Sequence, residues 1–176
     1  MGVAKAASAE GSGGQQGLLA RHYEEFRLLA RRVLSSDGGK LQIQPTDLAH
    51  EAAIRLMRLD HLSIADRAHF LALSAKVMRQ TLLDEVRRAR ARKRQAPGLL
   101  TMWPDGEGGA PVDIEALDEA LRELAGISPE RARIVELRFF AGLTMEEVAV
   151  ELGESESTVK RRWRVARAWL LDRLAG

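Results

Sequence analysis

Residues 154–170 read ESESTVKRRWRVARAWL: four small or acidic polar residues, then five basic residues and two tryptophans set at a helical period. Guanidinium and ammonium groups spaced along one helix can neutralise phosphates, and arginine can donate in bidentate fashion to a guanine edge. A second cationic run, RRARARKR at 87–94, packs six basic residues into eight positions. Acidic residues gather instead at 105–123 and 146–156. The net charge of +2 is small, so the distribution carries the information. Separated blocks of one sign point to discrete sites facing an anion, with nucleic acid the partner that suits them best.

Other chemistries lack their parts. The 176 residues include no cysteine, which excludes disulfides, thiolate metal sites and cysteine nucleophiles and agrees with a reducing compartment. His50-Glu51 has no second histidine four residues after the first, so the zinc-protease motif is absent. Asp66 and His69 could share a helix face, but no third ligand is suitably spaced, and His22 and His61 stand alone. GSGG at 11–14 is not followed by Lys and Ser/Thr in a phosphate-loop context, and no serine sits in a nucleophile elbow. The expectation is a non-enzyme that needs no metal or organic cofactor. No stretch approaches the ~18 consecutive apolar residues of a membrane span. No membrane insertion is expected, and the protein reads as cytoplasmic.

The elements that must hold these residues are helices. The first residues, MGVAKAASAEGSGGQQG, read as a disordered tail over 1–17. Leu19, Tyr23, Phe26, Ala30 and Val33 recur at steps of three and four, predicting a helix over about 18–35, which SSDGGK breaks. Pro45-Thr46 opens a second helix with Leu48, Ala52, Leu56 and Leu59 inward. A third starts near Ala65, carries Phe70, Leu73, Val77 and Leu82 as its stripe, and runs into the basic block. No β alternation is evident. The prolines and glycines of APGLLTMWPDGEGGAPV end the period, so 96–112 reads as a linker in which Leu99, Leu100, Met102 and Trp103 could dock locally. The fold class is therefore all-α: two small helical domains, 18–95 and 113–176, joined by a flexible linker at 96–112.

The second domain is a helix-turn-helix by its punctuation. After a short helix from about Asp113 to Ala125, Ser128-Pro129 begins a helix with Ile134, Leu137 and Phe140 buried, which Gly142 ends. Thr144 and Glu147 form a capping box for a short helix with Val148, Ala149 and Leu152 inward, and Gly153 stops it. Val159, Trp163, Ala166 and Leu170 then line the inner face of a longer helix. In such a motif the second helix enters the major groove. The residues free to meet DNA are Ser155, Ser157, Thr158, Lys160, Arg161, Arg162, Arg164 and Arg167. Arg161 and Arg162 can reach base edges, Lys160 and Arg164 suit phosphates, and which arginine reads a base stays open. A solvated cationic helix would share the charge run but would not need the caps and the turn.

These residues carry a resemblance. VELRFFAGLTMEEVAVELGESESTVKRRWRVARAWL, with LQIQPTDLAHEAAIRLMRL at 41–59 and RAHFLALSAKVMRQTLLDEVRRARARKR at 67–94, resembles the sigma-70-type RNA polymerase sigma factors. The match is to the small extracytoplasmic-function (ECF) type, over about 18–174. The resemblance implies core RNA polymerase and promoter DNA as partners, both as duplex and as a melted −10 strand. It also leaves room for an anti-sigma factor or other regulator. It places Asp47, Glu51, Arg55 and Arg58 at the polymerase clamp. It gives the −10 element to Lys76, Arg79, Gln80, Asp84, Arg87, Arg88 and Arg90, and the −35 element to residues 155–167. The segment departs from the family in having Phe70 but no tryptophan near the strand-opening helix, and Ala53 where tyrosine is common. Two alternatives keep part of the pattern. One is a stand-alone helix-turn-helix regulator that never engages polymerase. The other is a sigma-like interaction protein that binds polymerase without productive promoter recognition. Residues 46–59 and 76–90 are needed together only by a working sigma factor.

Overall fold

A computed structural model describes residues 17, 20, 23–24, 26–34, 43–58, 67–92, 98–104 and 110–175, the side chains of 67–69 excepted. The expected tail at 1–16, the expected break at 35–40, Leu59, and residues 93–97 and 105–109 lie outside the described residues. The described residues are helical almost throughout. Helix α1 includes 26–34, α2 is Pro45–Met57, α3 is Arg67–Arg92, α4 is Ile114–Ile127, α5 is Pro129–Phe140, α6 is Met145–Leu152 and α7 is Glu156–Leu174.

Each helix start has a local cause. Proline occupies the first turn of α2 and of α5, where its missing N–H costs nothing. Asp47 in the first turn and Arg55 in the last complement the dipole of α2. Asp113 caps α4 by accepting from the backbone N–H groups of Glu115 and Ala116 at 3.0 and 3.1 Å. In α6 the capping box is complete: Thr144 accepts from the Glu147 N–H at 3.1 Å, and the Glu147 carboxylate accepts from the Thr144 N–H at 2.7 Å. Two turns need left-handed backbone, at Gly142 (φ 71°) after α5 and at Gly153 (φ 65°) after α6. Glycine adopts that conformation without the penalty a Cβ would bring.

The stretch 96–112 holds structure that its sequence does not announce. Leu100–Thr101 (β1) pairs antiparallel with Val112–Asp113 (β2), and the Ile114 N–H donates to the Leu99 carbonyl at 2.9 Å. Leu99 and Trp103 are buried, whereas Met102 is exposed. Trp103 meets Phe139 and Trp163 edge-on, with centroids 5.9 and 6.2 Å away. A two-residue strand is too short to display alternation, so its absence from the sequence reading has a simple reason.

Helix α3 packs against α2 on one side and α5 on the other, while α4 and α7 both pack on α5. That is why α3 buries a wide band, including Phe70, Leu71, Met78, Leu82, Leu83 and Val86. Among the described residues, no helix is long and apolar enough to cross a membrane.

Candidate nucleic-acid interface

Helix α7 is oriented by what it buries. Val159, Trp163, Ala166 and Leu170 are its buried residues, the stripe expected from spacing. Arg138 of α5 reinforces the arrangement: its guanidinium lies over the Trp163 ring, 5.6 Å from the centroid, and donates to the Leu143 carbonyl in the turn before α6. Burial pushes Arg138 below its ordinary value, with the nearby positive charge of Arg32 adding to the effect and Glu147 opposing it. A guanidinium stays protonated under such a shift, so a cation inside the motif ties α5, the turn and α7 together.

The N-terminus of α7 is built from small hydroxyl groups. Ser155 caps it by accepting from the Thr158 N–H at 3.3 Å, and its Oγ lies 3.0 Å from Ser157 Oγ and 2.9 Å from Thr158 Oγ1. Nothing bulky there would hold the helix off a groove. Beyond it the cations divide. Lys160 pairs with Glu156 at 2.7 Å, four residues earlier. Arg162 is turned back to the Glu154 carboxylate in the preceding turn. Arg167 lies over Trp103, 5.4 Å from its centroid. Arg164 reaches the Lys160 carbonyl at 3.4 Å and is otherwise exposed. Arg161 is exposed and has no ion-pair partner among the described residues. The outward line is thus Ser157, Arg161 and Arg164, opposite the buried stripe.

The −10 candidates on α3 do not form one face. Lys76, Gln80 and Arg87 are exposed; Gln80 donates to Asp84 at 2.9 Å and Arg87 lies 3.6 Å from it. Arg88 pairs with Glu85 at 2.5 Å. Arg79 and Arg90 instead turn toward α4 and α5. Arg79 donates to Asp118 Oδ1 at 2.7 Å, to the Asp118 carbonyl at 2.9 Å and to Glu136 at 2.6 Å, and lies over Phe140. Arg90 pairs with Glu115, with Asp113 3.9 Å away. Phe70, the aromatic noted in the sequence, is a fully buried core residue.

Of the clamp candidates on α2, Asp47 and Arg58 are exposed. Glu51 and Arg55 are half-buried and bonded to each other at 3.0 Å, and Arg55 also reaches Asp84 of α3 at 2.5 Å. The structure therefore joins Glu51, Arg55, Gln80, Asp84 and Arg87 in one network across two predicted sites. Burial pushes the Asp84 carboxyl up, but hydrogen bonds from Arg55 and Gln80 and the charges of Arg55 and Arg87 outweigh it and hold it low. The hydrogen bond to Asp84 raises Arg55 in turn. Ala53 is buried, so no side chain projects from that position toward a partner.

Sequence reasoning missed Glu154, Arg138 and Trp103 as organisers of α7. A carboxylate eight residues before an arginine follows no helical spacing, since a turn intervenes. Nor could spacing link Arg79 to acids 39 and 57 residues away. Among the described residues, no cluster of three or more His, Asp or Glu could hold a metal ion.

A capped short helix, a turn at a left-handed glycine and a cationic second helix follow one another in α6 and α7, downstream of the packed pair α2 and α3. A family model described as ECF sigma factor matches residues 7–176. Comparison with curated proteins and with solved structures finds no match. The chain belongs to the ECF sigma-factor family: it is not an enzyme but a sigma factor, which directs core RNA polymerase to promoters and initiates DNA-templated transcription.

Proposed function

We propose that the chain divides this work among three helices in two functional domains, 18–95 and 113–176, with 96–112 between them. Helix α7 reads the −35 element, α3 engages the −10 element and its melted strand, and α2 docks on the polymerase clamp. The observation that carries the reading is the outward line Ser157, Arg161 and Arg164 standing opposite the buried stripe of α7. Lys76, Gln80 and Arg87 offer α3 a solvent-facing polar and cationic edge for backbone phosphates. Asp47 of α2 and Arg58 at its C-cap are exposed charges that suit a protein partner. Polymerase and promoter as partners put the protein at work in the cytoplasm.

Binding of the assembled holoenzyme to a randomised −35 library at two salt concentrations tests the −35 assignment. Arg161→Ala should lose about 1–3 kcal/mol of discrimination at one base pair. Arg164→Ala should weaken all sequences alike and reduce the salt dependence by about one unit. No loss from either would leave α7 a solvated cationic face.

A further inference from the structure

We propose that Val165 is a base-reading residue of α7, packing against the C5-methyl group of a thymine one or two base steps from the pair that Arg161 contacts. This rests on the reading of α7 as the −35 helix and names part of its specificity. Val165 is 45% exposed on a helix whose four buried residues fix the inward direction. At about 100° per residue, Arg161 points away from that stripe, and Val165, four residues on, lies about 40° from Arg161. The two side chains therefore share the outward face. Arg162, the neighbour that could compete for the same space, is held back by Glu154.

Scattered exposed hydrophobes are ordinary on protein surfaces. What distinguishes Val165 is its address, beside the arginine best placed to read a base. Helix stability does not account for it, because valine is a weaker helix former than alanine, lysine or arginine. Its β-branched side chain is stiff at χ1, so the two γ-methyl groups are presented in a fixed direction. In the major groove thymine alone offers a methyl group, and an apolar side chain is its complement. Four residues advance about 6 Å along the helix, against about 3.4 Å per base step. That sets the separation between the two contacts.

The test uses the full chain assembled with core polymerase and the −35 element selected from a randomised library. Each thymine of that element is replaced singly by deoxyuridine, which lacks only the methyl group. The wild type should bind one replaced element about fourfold more weakly, equivalent to ~0.8 kcal/mol for one buried methyl-sized group. Val165→Ala should bind the thymine and uracil forms of that position equally, whereas Arg161→Ala should keep the difference. Indifference of the wild type to every replacement, or a full uracil penalty retained by Val165→Ala, would overturn the thymine contact. If Arg161→Ala and Arg164→Ala still weaken binding in that case, only the contact falls. If they do not, the reading of α7 as the −35 helix falls with it.

Discussion

Asp84 illustrates how one side chain can serve two surfaces. It receives Arg55 from α2 and Gln80 from its own helix, so the edge of α3 proposed to meet DNA is fastened to the helix proposed to meet polymerase. The carboxyl titrates below its usual range, so its charged form is favoured by folding. A depressed carboxyl contributes stability that is fully present above the unfolded value, about 3.9, and is lost as pH falls through the folded value. Acid titration of the denaturation midpoint should therefore show a loss beginning below about pH 4 that Asp84→Asn reduces. At neutral pH the same variant should cost about 1–2 kcal/mol, because Arg55 keeps Glu51 as a partner. An unchanged acid profile would mean that Asp84 does not hold α2 to α3. Since Glu51 and Arg55 belong to this network, Asp47→Lys with Arg58→Glu is the cleaner probe of polymerase binding. It should weaken assembly with core polymerase in a titration while costing no more than about 1–2 kcal/mol of stability, because both reversals oppose the α2 dipole.

At the scale of elements, the run from α5 to α7 depends on two chain reversals, at Gly142 and Gly153, that differ from the helical glycine upstream. A Cβ added at Gly153 would touch nothing within 4 Å, so the cost of Gly153→Ala is the left-handed backbone itself, about 1–2 kcal/mol. Gly126 also has open space around it but lies within α4, where alanine should stabilise by about 0.5–1 kcal/mol. Opposite shifts in the two denaturation midpoints check the pair. This motif was the most legible part of the chain because its signals are local: Thr144 with Glu147, Gly153, and Val159 with Trp163 all act within a turn or two. The same holds for the inward residues Leu48, Ala52 and Leu56 of α2. Trp103 was half legible, as an apolar residue that could dock, but its partners Phe139 and Trp163 lie far along the chain. The candidate site fared likewise. Residue types and outward positions could be read, whereas the pairing of Arg162 with Glu154 and of Arg79 with Asp118 could not, because no periodicity relates residues across a turn or between helices.

At the scale of the whole molecule, Arg79 ties α3 to both α4 and α5 through Asp118 and Glu136. Asp118, its main partner, is buried and, among the described residues, retains only Arg122 if Arg79 is removed. Arg79→Met should then cost about 2–3 kcal/mol, less than for a carboxylate stripped of every partner. Amide hydrogen exchange over Ile114–Ile127 should rise with it, and unchanged exchange would show that the tie contributes little. A guanidinium holding two acids is not free for a phosphate. If Arg79 contacts the −10 element, its guanidinium must first release Asp118 and Glu136; if it stays, that contact passes to Lys76, Gln80 and Arg87.

The edge-on pair of Trp103 and Trp163 also makes the molecule its own optical reporter. Two indole rings 6.2 Å apart at 74° couple their electronic transitions, which a distant pair would not do. One indole belongs to the segment between β1 and the helices that follow, the other to the helix assigned to the −35 element. A split circular-dichroism band from this pair should vanish in Trp103→Phe and collapse whenever the segment lifts away. Seating of that segment could thus be followed by light alone, with no label attached, as the sigma factor meets polymerase and then DNA.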